Sequence, residues 1–132
     1  MAKAELYKNA FTSWIMRAVN TIPVDRGHVS IQTLKDAMRV LKRENILGIF
    51  PEGPRVKEGE KKEPLDGFVV FALKTKSPIL PVHIDGKFKF RAKINVIFGK
   101  PIYLDEYYGR KVKADEISEI SKNIMNQIYT LE

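Results

Sequence analysis

Two arginines and one carboxylate hold most of the chemical information in this 132-residue chain. The segment Phe50-Pro51-Glu52-Gly53-Pro54-Arg55 follows directly on the apolar run Ile46-Leu47-Gly48-Ile49-Phe50. A short apolar run bounded by turn residues reads as a buried strand, so the pattern sets Glu52 and Arg55 at a strand's C-terminal end, where open α/β sheets keep their sites. Ile22-Pro23-Val24-Asp25-Arg26-Gly27 repeats the design, with a brief apolar approach, a charged pair ending in Arg26 and a glycine that frees the turn. Two guanidiniums at two strand ends suit an anion, because each offers a planar fork that meets phosphate oxygens in a bidentate way and stays charged at any working pH. Glu52 has two open roles, ordering the Arg55 loop or binding a ligand hydroxyl. Gly53 reads as a position where backbone approaches a ligand.

The elements that present these residues follow from periodicity. Phe11, Trp14, Ile15, Ala18 and Val19 recur at helical spacing, and residues 21–24 then turn extended. Ser30 caps a helix with the stripe Ile31, Leu34, Met38 and Leu41, and residues 46–50 form the next strand. Residues 56–64 read as a loop, residues 67–75 as a short helix, and residues 79–84, 88–91 and 94–98 as strands. Asp115 caps a last helix carrying Ile117, Ile120, Ile124, Ile128 and Leu131. The alternation predicts an α/β fold, a mostly parallel sheet with helices packed on it, in one domain covering residues 1–132.

Composition bounds the setting. At 44% apolar residues the chain suits a small compact core, and its lack of cysteine excludes a disulfide or a thiolate metal site. The N-terminus shows no apolar core followed by a small-residue cleavage site, and the apolar runs fall far short of the ~20 residues that span a bilayer. A soluble or peripheral, cytoplasmic protein is expected. The net charge of +7, from 23 basic and 16 acidic residues, favours acidic partners such as phosphate esters, anionic lipid, acidic carrier proteins or nucleic acid.

Taken together, these segments resemble the glycerolipid acyltransferases typified by 1-acyl-sn-glycerol-3-phosphate acyltransferase. Ile22-Pro23-Val24-Asp25-Arg26 is similar to the family's second sequence block, residues 50–55 to its third and Ile79-Leu80-Pro81-Val82-His83-Ile84 to its fourth. The resemblance implies transfer of a fatty acyl group from acyl-CoA or acyl-carrier protein to a lysophosphatidate-like acceptor in phospholipid biosynthesis, at a peripheral membrane surface. It implies that Arg26, Glu52, Gly53 and Arg55 hold the glycerol phosphate, that Pro81 and Val82 help shape the acyl side, and that neither a metal nor a bound cofactor is needed.

The family's first block, a His-x-x-x-x-Asp motif supplying the general base, has no match. The position five beyond His28 is Thr33 and that beyond His83 is Phe88, so no catalytic residue is assigned. Because Met1 aligns with an interior Met of the family pattern, the expectation is an N-terminally truncated acyltransferase domain, inactive alone, with uncovered apolar surface that promotes self-association. Pro54 replaces the family's Thr, and Asp66 stands where a basic residue is common.

Other readings compete. Lys87, Lys89, Arg91 and Lys93 alternate with Phe88, Phe90, Ala92 and Ile94, a pattern that binds single-stranded nucleic acid or, as favoured here, protects an edge strand. The first helix, with Lys8 and Arg17 near its aromatics, fits a membrane surface as well as a core. The alternative function is therefore a non-catalytic module that binds anionic lipid or nucleic acid through a basic surface.

Overall fold

A computed structural model describes residues 2–3, 7–24, 30–53, 63–86 and 91–131. The chain divides into two units, Met1–Ile49 and Phe50–Glu132, each with its own internal packing.

The first unit holds β1 (Ala2–Lys3), α1 (Ala10–Ala18), β2 (Pro23–Val24) and α2 (Ile31–Lys42). Helix α1 begins where the extended Asn9 accepts the Phe11 N–H on its side chain, and it gives way to a turn with Asn20 at φ +52°. The Tyr7 hydroxyl donates to the Thr21 carbonyl, and the Thr21 hydroxyl donates to the Met16 carbonyl at 2.8 Å. These bonds tie the entry of α1 to its exit and return the chain so that β2 pairs in parallel with β1, Ala2 opposite Pro23 and Lys3 opposite Val24. Helix α2 opens as its sequence implies: Ser30 Oγ accepts the Thr33 N–H at 3.1 Å.

The second unit holds α3 (Gly67–Thr75), β3 (Val82–Asp85), β4 (Asn95–Phe98), a 3₁₀ turn (Asp105–Tyr107) and α4 (Ala114–Tyr129). Helix α3 runs over the residues that periodicity assigned to it, is apolar on most of its surface, and stops at Lys76, whose φ of +56° ends the helical path. Strands β3 and β4 pair antiparallel from Val82 opposite Phe98 to Asp85 opposite Asn95, and an Ile79–Ile102 bridge continues the pairing. The core lies where α3 and α4 pack together. Phe68, Val69, Phe71 and Ala72 of α3 are buried, as are Leu104 and the α4 residues Ile120, Ile124 and Met125. Burying a large aliphatic or aromatic side chain contributes about 1.5–3 kcal/mol, so this cluster dominates what the second unit gains on folding.

The mostly parallel sheet expected from the sequence is not what forms. Among the described residues helices predominate, the parallel β1–β2 pairing is two residues long, and the longer pairing, β3–β4, is antiparallel. Residues 46–50, read as a buried strand, form no strand, and Ile46 and Phe50 are 95% and 75% exposed. A parallel strand needs a neighbour to complete its ladder and a covering layer to bury it, and an apolar run supplies neither by itself. Of the expected strand at 88–91, residues 88–90 lie outside the described set, and Arg91 sits in a turn at φ +65°.

Two helix details also differ. Asp115 does not cap α4: the cap position is Lys113, whose N–H donates to Glu116 Oε2 at 3.0 Å, and Asp115 lies inside the first turn. Reach explains the exchange, because a Glu three residues into a helix can fold back onto the cap N–H. The stripe anticipated on α2 is only partly covered, with Ile31 72% exposed, Leu34 exposed and Met38 and Leu41 half-buried, whereas Thr33 and Ala37, one turn apart, are buried.

Candidate functional site

Glu52 stands on a tight turn. Phe50 O accepts the Gly53 N–H at 3.2 Å, which puts Pro51 and Glu52 at the two central positions of a four-residue turn. Proline suits the first of these because its ring presets φ and it has no N–H to place. Gly53 follows at φ +72°, a left-handed value that costs other residues about 1–2 kcal/mol, and a Cβ there would meet Leu65 Cδ1 at 3.1 Å. Leu65 in turn donates its N–H to Pro51 O at 2.8 Å, so the turn is pinned to the segment that leads into α3. Glycine at 53 is thus favoured by the bend, and any side chain there would have to displace Leu65 by a few tenths of an ångström.

The Glu52 side chain is half-buried and accepts a hydrogen bond at Oε1 from the Tyr129 hydroxyl at 2.5 Å, across 77 positions of sequence. Tyr129 is the last residue of α4, on the same face as the buried Ser121 and Met125 at four-residue spacing. The packing of α4 against α3 therefore delivers the phenol to the turn. Burial, then the hydrogen bond to Glu52 and its negative charge, push the Tyr129 phenol up to about 12, so it stays protonated and acts as a donor. Sequence reasoning missed Tyr129. The signal was its period with Ser121 and Met125, beside the isoleucine stripe that attracted attention.

Of the other expected site residues, Arg26 and Arg55 lie outside the described residues, as do His28 and Pro54. In sequence Arg26 falls between β2 and the Ser30 cap, which are linked by a 3.4 Å contact from Thr33 Oγ1 to Pro23 O, and Arg55 falls two residues beyond Gly53. His83 lies half-buried on β3 opposite Ile97, and Pro81 is buried just before that strand. Asp66 immediately precedes α3, where its backbone carbonyl accepts the Val69 and Val70 N–H groups. The four basic residues read as an alternating strand divide, with Lys87 and Lys89 outside the described set and Arg91 and Lys93 exposed. A cavity of about 330 Å³ in the first unit is lined by Thr21, Ile22, Asp36, Arg39 and Arg43 among others, and Arg39 pairs with Asp36 at 2.6 Å. It contains none of the expected site residues.

Comparison with known proteins gives a consistent result. A family model described as Acyltransferase matches residues 1–85. The whole chain aligns at 32% identity with 67% of the 1-acyl-sn-glycerol-3-phosphate acyltransferase of Bacillus subtilis, and at 28% identity with 50% of the protein of the same name from Streptococcus pneumoniae. The chain thus spans between half and two thirds of the length of these two relatives. Among solved structures, that of the 1-acyl-sn-glycerophosphate acyltransferase PlsC from Thermotoga maritima superposes with a TM-score of 0.67 over 96% of this chain and 53% of that one, at 24% identity. That likeness is one of fold.

Proposed function

We propose, because the chain belongs to the glycerolipid acyltransferase family, that it serves phospholipid biosynthesis by moving a fatty acyl group onto 1-acyl-glycerol 3-phosphate. The observation that carries this reading is the similarity along the entire chain to proteins bearing that activity in their names. In the reaction the thioester C–S bond of acyl-CoA or acyl-carrier protein breaks and an ester C–O bond forms. The thiol leaves with the proton lost by the acceptor hydroxyl.

The residues divide this work by chemistry. Arg26 and Arg55 hold the acceptor phosphate through bidentate, charge-assisted hydrogen bonds. Glu52, a carboxylate, repels a phosphate and attracts a hydroxyl, so it suits the glycerol part of the acceptor. Gly53 fixes the turn on which Glu52 stands. The thioester already activates the acyl group, and the reading assigns no role to a metal or a bound cofactor.

The lipid acceptor places the work at a membrane surface. In support, α1 buries none of its residues, exposes Phe11 and Trp14 at 68% each, and is accompanied by Lys8 and Arg17, with no acidic residue between positions 7 and 24. No helix among the described residues is long and apolar enough to cross a membrane.

The 132 residues contain no His-x-x-x-x-Asp sequence. General-base catalysis is worth roughly 10²- to 10⁴-fold, so a polypeptide of these residues alone is expected to transfer acyl groups at no more than about a hundredth of an intact enzyme's rate. An assay with acyl-CoA or acyl-carrier protein and lysophosphatidate checks this. Full turnover would move the base to His28 or His83, and acceptor binding without turnover would favour the non-catalytic alternative.

A further inference from the structure

Tyr129 Oη and Glu52 Oε1 form a side-chain contact that joins the two ends of the second unit. The phenol arrives from the end of α4, and the carboxylate from a turn whose backbone is fixed by Gly53 and Leu65. Glu52 has one oxygen on the phenol, and its second oxygen has no hydrogen-bond partner among the described residues. A half-buried carboxylate on a rigid turn, with one oxygen anchored, has lost the rotational freedom that would otherwise oppose ligand binding.

We infer that Tyr129 is a positioning residue, which holds the Glu52 carboxylate so that its second oxygen accepts a hydroxyl of a polyol phosphate. The inference rests on the acceptor reading of Glu52 proposed above and extends it to a residue that does not itself touch the ligand. Its physical content is a separation of tasks. The phosphate is bound by cations and is indifferent to Tyr129, whereas the polyol hydroxyl is bound through Glu52 and depends on it. A purely structural tyrosine would affect both alike.

Burial first, then the hydrogen bond and charge of Glu52, push the Tyr129 phenol up, which keeps it protonated as the donor in this contact. Among the described residues, Asp66 and Glu63, which pairs with Lys122 at 3.0 Å, are the acidic groups at the entry to α3. Neither forms a hydrogen bond to the Glu52–Tyr129 pair.

Calorimetry with glycerol 3-phosphate and with inorganic phosphate, on the 132-residue chain and its Tyr129→Phe and Glu52→Ala variants, separates these tasks. Tyr129→Phe is expected to weaken glycerol 3-phosphate about three- to tenfold, the scale of one neutral hydrogen bond, and to leave inorganic phosphate within about twofold. On a Glu52→Ala background the Tyr129→Phe change should add nothing, because the pair acts as one unit. In parallel, the Tyr129 phenol, followed by carbon NMR and assigned by its loss in Tyr129→Phe, should titrate lower in Glu52→Ala than in the unsubstituted chain.

Each result decides something. Equal weakening of both ligands makes Tyr129 a structural residue and overturns the inference. Unchanged titration in Glu52→Ala means that the bond does not persist in solution and also overturns it. If the unsubstituted chain binds inorganic phosphate but gains nothing from the glycerol moiety, or binds neither ligand, the acceptor reading of Glu52 fails and the role of Tyr129 falls with it. Preference for glycerol 3-phosphate that survives Tyr129→Phe overturns only the role of Tyr129.

Discussion

Ile120, Ile124 and Met125 on α4 of the second unit are 2–7% exposed, whereas Phe11, Trp14 and Ile31 in the first are 68–72% exposed, although the helices that carry them show comparable apolar spacing. The second unit gathers α3 and α4 face to face and encloses a cluster of aliphatic and aromatic side chains. In the first unit the buried residues among those described are Thr33 and Ala37, and hydrogen bonds at Tyr7, Thr21 and Ser30 join its segments. Periodicity therefore reports that a face is apolar, and a partner element decides whether that face is covered. The candidate turn at Glu52 draws on the covered unit, since α4 holds Tyr129 in place.

The contrast has a direct energetic consequence. Phe71→Ala should destabilise the chain by about 3–5 kcal/mol, because it removes a buried ring and leaves a cavity, while Trp14→Ala should stay within about 0.5 kcal/mol. Urea denaturation of both variants measures the gap. Equal losses would show that α1 is covered in solution, which would erase the difference between the units.

A second check reads α1 itself. Trp14 is the chain's one tryptophan, so its emission reports on this helix without labelling. Vesicles containing anionic phospholipid are expected to shift that emission to the blue, and a lipid-borne quencher should reach it. Neutral vesicles and high salt should weaken both effects as the Lys8 and Arg17 attraction is lost or screened. A blue shift that grows with protein concentration in the absence of vesicles would instead indicate self-association through the same face.

The smallest effect concerns the start of α4. Arg110 grips Glu116 with its two terminal guanidinium nitrogens, at 2.8 and 3.2 Å, and this fork together with the Lys113 N–H holds the Glu116 carboxyl down to about 2 from its ordinary 4.5. A carboxyl whose folded value lies below its unfolded one stabilises the fold above the unfolded value, and that contribution is lost as pH falls towards the folded one. The stability difference between the unsubstituted chain and Glu116→Gln should accordingly be complete above about pH 4.5 and fade towards pH 2. Because the pair is exposed to solvent the difference is small, and a melting series across that range would contradict the assignment if it showed the same gap at both ends.

What could be read from the sequence follows the same physics. Helix α3 was legible in its position, and the Ser30 cap was legible because a cap is a local bond between neighbours in sequence. The parallel sheet was not, since pairing depends on distant segments that periodicity does not register, and residues 46–50 gave an apolar run without giving it a ladder. At the candidate site, Glu52 and Gly53 stood out through their position after that run, whereas the left-handed turn at Gly53 is a feature the sequence reading did not name. Tyr129 was hidden because its partner lies 77 positions away and no local rule links a helix end to a remote turn.

Calorimetric titration of glycerol 3-phosphate into the unsubstituted chain, Arg26→Ala and Arg55→Ala decides the proposal that Arg26 and Arg55 bind a glycerol phosphate. Arg55→Ala is expected to weaken binding by about 1.5–3 kcal/mol, the scale of a charge-assisted hydrogen bond, with a loss in the same direction for Arg26→Ala. Equal affinity in all three proteins would contradict it and place the anion site elsewhere.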